Sequence, residues 1–92
     1  MNKKEQLIEV FNEAVEVFAD YVAVAIETRG SKGIEVIINP RENFMDKLEY
    51  YKKAYSDDLV LNTFDGIKII SACSFNAENN FEDVRDVLQE LF

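Results

Sequence analysis

Residues 20–28, DYVAVAIET, constrain the fold of this chain more than any other stretch. In an extended segment Val22, Val24 and Ile26 share one side and Ala23 and Ala25 the other, because successive strand side chains alternate. β-branched residues lose side-chain freedom in a helix and pack well on a pleated surface, so the run reads as a strand. Its alanine side allows a helix to approach closely. GIEVIIN follows at 33–39, with Ile34, Val36 and Ile38 alternating against Glu35, Ile37 and Asn39. Between the two lies RGSKG, with two glycines in five residues, the mark of a hairpin with a longer loop.

The flanking segments follow the other period. Over residues 3 to 19, Leu7, Phe11, Ala14 and Phe18 recur at helical spacing, and Ile8, Val10, Val15 and Val17 widen that stripe. Glu5, Glu9, Asn12, Glu13 and Glu16 occupy the opposite face. A second helix is expected from Pro40 to Tyr55, with Asn39 as N-cap, Pro40 in the first turn and Glu42 closing a capping box. Its core stripe is Phe44, Leu48, Tyr51 and Tyr55, with the tyrosine hydroxyls reaching the rim. Leu59 to Phe64 reads either as a short strand joined to Ile67 onward by a type I′ turn at Asp65-Gly66, or as an irregular connection burying Leu59 and Leu61. Asn62 and Thr63 break the alternation and favour the second reading. Ile67 to Phe75 reads as a strand, and Asn80 caps a last helix to about Leu91 with Phe81, Val84, Leu88 and Leu91 as its stripe. The order α-β-β-α-(β)-β-α predicts an α+β domain, with helices packed on a small antiparallel sheet of three to four strands.

A chain of 92 residues is enough for one domain. Its single cysteine, Cys73, excludes an internal disulfide and fits a reducing compartment. Lys3 and Lys4 are followed by Glu5, Glu9, Glu13 and Glu16, which interrupt any apolar signal core. The longest apolar run, Tyr21 to Ile26, is far short of the roughly 20 residues that span a bilayer. A cytoplasmic protein with no membrane partner is therefore expected.

Reactive chemistry is sparse. The chain has no histidine, the commonest general base and metal ligand. RGSKG lacks P-loop spacing and lies in a hairpin, so it reads as a solvated tip. Cys73 has no base to activate it and reads as an inert buried thiol. Asp57, Asp58 and Asp65 match no calcium-loop spacing and read as helix end and turn. No enzyme activity, cofactor or metal is expected.

Charge is the more informative signal. Net charge is −8, and from Glu5 to Thr28 there are six acids and no lysine or arginine. From Arg29 to Lys53 six basic residues face four acids, and from Asn76 onward five acids face one arginine. Such a balance opposes direct binding to nucleic acid and favours a basic protein partner. Glu5, Glu9, Glu13 and Glu16 run along one helix face at a pitch of roughly 5–6 Å, comparable to phosphates along a strand. A solvated helix usually places lysines four residues from its acids, and after Lys4 this one has none. The row reads either as an ordinary solvated face or as a binding surface that mimics nucleic acid. On the second helix Tyr50 points outward beside Asp46, Lys47 and Lys53, either an isolated surface aromatic or a contact anchor.

The stretch EVIINPRENFMDKLEYYKKAYSDDLVL, followed by IKII, resembles small proteins encoded by phages and prophages of low-GC Gram-positive bacteria. The resemblance covers about residues 20 to 71 and carries no functional residue with it. What it implies is a setting, a mobile element in a bacterial cell. Small acidic proteins of that setting include anti-CRISPR proteins that occupy nucleic-acid-binding surfaces. The expectation is an acidic inhibitor that docks Glu5, Glu9, Glu13, Glu16 and Tyr50 on a basic nucleic-acid-binding effector. The competing expectation is a structural or regulatory accessory protein that works as a homodimer through an open sheet edge or an apolar surface.

Overall fold

The computed structural model describes residues 1–92. Helix α1 spans Lys3–Glu16, and the Asn2 Oδ1 accepts the Glu5 N–H at 2.8 Å. That bond satisfies one of the N–H groups a helix leaves unpaired at its start. Leu7, Phe11 and Ala14 form its buried face. The helix stops three residues before the helical pattern in the sequence does. Phe18 takes a left-handed conformation (φ 55°), its N–H donating to Val15 O at 3.3 Å while Ala19 N–H donates to Ala14 O at 2.9 Å. This is a Schellman ending with phenylalanine where glycine is usual, at a cost of about 1–2 kcal/mol. The reversal that starts the sheet swings Phe18 out of the stripe, and it is 75% exposed. Val15 and Val17, expected to widen the stripe, are exposed as well.

Three strands follow the expected antiparallel plan. β1 (Tyr21–Thr28) lies between β2 (Ile34–Pro40) and β3 (Ile67–Phe75). Val24 sits opposite Ile37 on β2 and Ala72 on β3. Gly30 and Gly33, at φ +83° and +95°, make the β1–β2 turn in a region that a Cβ disfavours. On β3, Ala25 faces Ser71 and Ile26 faces Ile69, which leaves Ile70 as the extra residue of a bulge. The bulge leaves Ile70 and Ser71 on the same face of the sheet, the α3 face, while Ile69 stays on the other.

The second helix begins later than its sequence suggests. Asn39 is not its N-cap: β2 continues through Pro40, and the buried Asn39 Nδ2 donates to Val22 O at 3.2 Å. Strand pairing takes the side chain that the cap would have used. A 3-10 turn at Arg41–Asn43 then leads into α2, Phe44–Ala54. Phe44, Leu48, Tyr51 and Tyr55 are buried as the helical phase requires. Phe11 and Phe44 meet edge to face, centroids 5.9 Å apart, which joins α1 to α2. The Tyr51 hydroxyl does not reach the rim. It is buried without a hydrogen bond, as is Asn39 Oδ1.

Leu59 to Phe64 is an irregular connection. Leu61 N–H donates to Ile67 O and Ile69 N–H to Leu59 O, both at 2.9 Å, with only isolated bridges between Tyr55 and Leu61 and between Val60 and Lys68. Gly66 is outside the left-handed region, so Asp65-Gly66 is not a type I′ turn. Leu59 is left-handed (φ 62°) and wholly buried. Burial of its side chain contributes about 1.5–3 kcal/mol and offsets the strain of about 1–2 kcal/mol.

Helix α3, Phe81–Leu88, starts at Asn80, whose Oδ1 accepts the Glu82 N–H at 2.9 Å. The sheet thus divides two cores. On one face α1 and α2 pack with Val22, Val24, Ile26, Ile69 and Leu59. On the other, Val84 and Leu88 of α3 lie on Ala23 and Ala25, the close approach that the alanines allow. Phe81 and Leu91, the ends of the expected stripe, are exposed. No helix is long and apolar enough to cross a membrane.

Candidate functional site

The acidic row stands on the outer face of α1. With Leu7 at the centre of the buried face and 100° per residue, Glu5, Glu9, Glu13 and Glu16 fall within about 80° of one another on the far side. All four are exposed, and none makes an ion pair. The two lysines that precede the row do not neutralise it. Lys4 Nζ donates to Lys52 O at 2.8 Å, which ties the start of α1 to the end of α2. Glu5 has a second effect, since a carboxylate in the first turn favours the positive end of the helix dipole.

The other two acids between Glu5 and Thr28, Asp20 and Glu27, are engaged. Asp20 is a structural fastener: its Oδ2 accepts Ala77 N–H at 2.9 Å, and its Oδ1 lies 3.7 Å from Arg41 Nη2. Arg41 Nη1 also donates to Phe18 O at 3.3 Å. Glu27 pairs with Lys68 at 3.5 Å. The α1 glutamates are therefore the unneutralised part of that acidic segment. Asp65 pairs with Arg29 and is thereby turned to the hairpin loop.

Tyr50 stands on α2, half exposed, apart from the α1 row. Its ring meets Tyr51 and Tyr55 edge-on, with centroids 5.5 and 6.4 Å away, and Lys47 Nζ lies 5.7 Å from its centroid. Such a ring is held by its neighbours and loses little freedom on contact with a partner. No hydrogen bond or ion pair links it to the four glutamates, so the two expected contacts are separate features.

Three groups titrate away from their ordinary values. Burial pushes the Tyr51 hydroxyl up; the Asn39 amide opposes that shift and the Tyr50 hydroxyl adds to it. Tyr55 is pushed up to about 12 by burial, then by Tyr50 and Tyr51. Burial raises the Cys73 thiol, so the thiolate a nucleophile needs is disfavoured.

Sequence reasoning missed one surface. α3 covers the β1 and β3 side of its face and leaves Ile34, Val36 and Ile38 of β2 uncovered or half-covered. Between them and α3 runs a groove of about 270 Å³, lined by Ala25, Ile34, Val36, Arg85, Leu88 and Gln89 among others. The sequence carried no signal for it, since the helix expected to reach about Leu91 ends at Leu88 after little more than two turns. No family model matches the chain, and neither a curated protein nor a solved structure matches it.

Proposed function

We propose that this protein is a non-enzymatic binding module that docks the outer face of α1 on a basic, nucleic-acid-binding protein. The setting that fits is a phage-type inhibitor of a host defence effector of the CRISPR kind, acting by mimicry of nucleic acid. One observation carries the reading: Glu5, Glu9, Glu13 and Glu16 are exposed, aligned and without ion pairs. Like charges at that spacing cost helix stability, and a row kept without lysine partners suits a surface whose counter-charges come from a partner. Tyr50 is a second contact, held ready by its aromatic neighbours.

The test is capture from a bacterial lysate at low and high salt, with added duplex DNA as competitor. Capture of nucleic-acid-binding proteins, weakened by salt and by DNA, is expected. Reversal of the four glutamates to lysine should abolish it. Capture that survives the reversal would sink the mimicry reading.

A further inference from the structure

We propose that the open edge of β2 pairs with β2 of a second copy, antiparallel about a two-fold axis at Val36. The inference goes beyond the acidic docking reading and uses a different surface.

The backbone phase of β2 sets which groups are free. Arg41 N–H donates to Asp20 O, so the hydrogen-bonded pairs with β1 continue at every second residue, at Asn39, Ile37 and Glu35. On the β3 side Arg29 N–H donates to Gly66 O, which places the odd-numbered residues at that end of β1 toward β3 and agrees with this phase. The N–H and C=O groups of Ile34, Val36 and Ile38 therefore point away from the sheet. β2 shows few of the devices that usually blunt an edge: its register has no bulge, no lysine lies within it, its one charge is Glu35, and its proline stands at the last position. The β3 edge, by contrast, is met by Leu59, Leu61 and the Phe92 N–H.

The side chains make the edge self-complementary. Pairing about Val36 sets Val36 against itself and Ile34 against Ile38 of the second copy, all on the α3 face. The half-exposed apolar row is thereby continued across the junction. On the other face Glu35 meets Ile37 rather than a second Glu35. A shift that centres on Glu35 would oppose two carboxylates. A shift that centres on Ile37 would bring Pro40, which has no N–H, opposite Ile34. Charge is compatible with the same occupant. Arg29, Lys32 and Arg41 against Glu35 and Glu42 give residues 29–42 a net charge of 3 − 2 = +1, in a chain of net charge −8. The edge is thus free of the acidic excess that would repel a second copy, and Lys32 of each stands toward the end of the second copy's strand that carries Glu42.

Sedimentation equilibrium from micromolar to millimolar concentration tests the proposal. The mass should rise from one chain toward two, and association should tighten with salt as long-range repulsion is screened, opposite in sign to acidic docking. Val36→Pro removes an N–H that serves no bond within the protomer, so it should leave the melting temperature nearly unchanged and weaken association about tenfold or more. Ile38→Lys, on the exposed row, should do the same without touching the backbone. A single-chain mass at every concentration overturns the proposal and leaves the edge to a strand of another protein. Association unchanged in both variants overturns it too.

Discussion

The two edges of the sheet have been treated in opposite ways. At β3 the chain folds back through Leu59 and Leu61, supplies backbone partners to Ile67 and Ile69, and accepts a strained left-handed leucine to do so. At β2 nothing returns, and Ile34 and Ile38 stay exposed beside unpaired backbone groups. The contrast separates stability from interaction. Closing an edge buries side chains in the larger core, whereas leaving one open preserves hydrogen-bonding capacity for another chain.

The largest effect should come from breaking the closed edge. Leu59→Ala removes a wholly buried side chain and should lower unfolding free energy by about 2–5 kcal/mol in urea titrations. A loss under about 1 kcal/mol would mean that the return segment is only draped on β3.

The same edge should also fail at high pH. Tyr55 bridges to Leu61, and its hydroxyl is pushed up to about 12 from 10.0. The folded state holds that proton more tightly than the unfolded one. That preference for the protonated form supports folding below pH 10 and is lost as pH rises toward 12. Melting temperature followed over that window should fall, and Tyr55→Phe should reduce the slope. An equal slope in the variant would assign the loss to other groups.

A smaller change is expected where β2 meets the core. The Tyr51 hydroxyl is buried without a hydrogen bond, so Tyr51→Phe should stabilise the fold by up to about 1 kcal/mol in thermal melts. Destabilisation would show that the contact with Asn39 is a working hydrogen bond. Smallest of all, Ile34→Lys on the open edge should change the unfolding free energy of the monomer by no more than about 0.5 kcal/mol. A larger loss would mean that this edge is part of the core and that the two edges are alike.

Much of the fold was legible in the residues. The alternation over Tyr21–Thr28 and Ile34–Pro40, the stripe of Phe44, Leu48 and Tyr51, and the Asn80 cap all act over neighbours within a few residues. Two misreadings show a helical signal overruled by the strands beside it. Asn39 looks like a cap until Val22 pairs with it across the hairpin. Phe18 fits the helical stripe until the chain must turn into β1. The acidic row was legible because it lies on one helix and its phase is set within it. The apolar row of β2 was not, because its exposure depends on how far α3 reaches.

Sequence alone determined the element types, the faces of the helices, the antiparallel hairpin and the placement of unpaired charge on α1, since each follows from backbone period and nearest-neighbour chemistry. Tertiary structure decided which strand edge is closed and which is open. It also decided that Leu59 is worth its strain, and that Ile34, Val36 and Ile38 end beside solvent rather than under a helix. Those outcomes depend on contacts between residues far apart in the chain, and no local period encodes them.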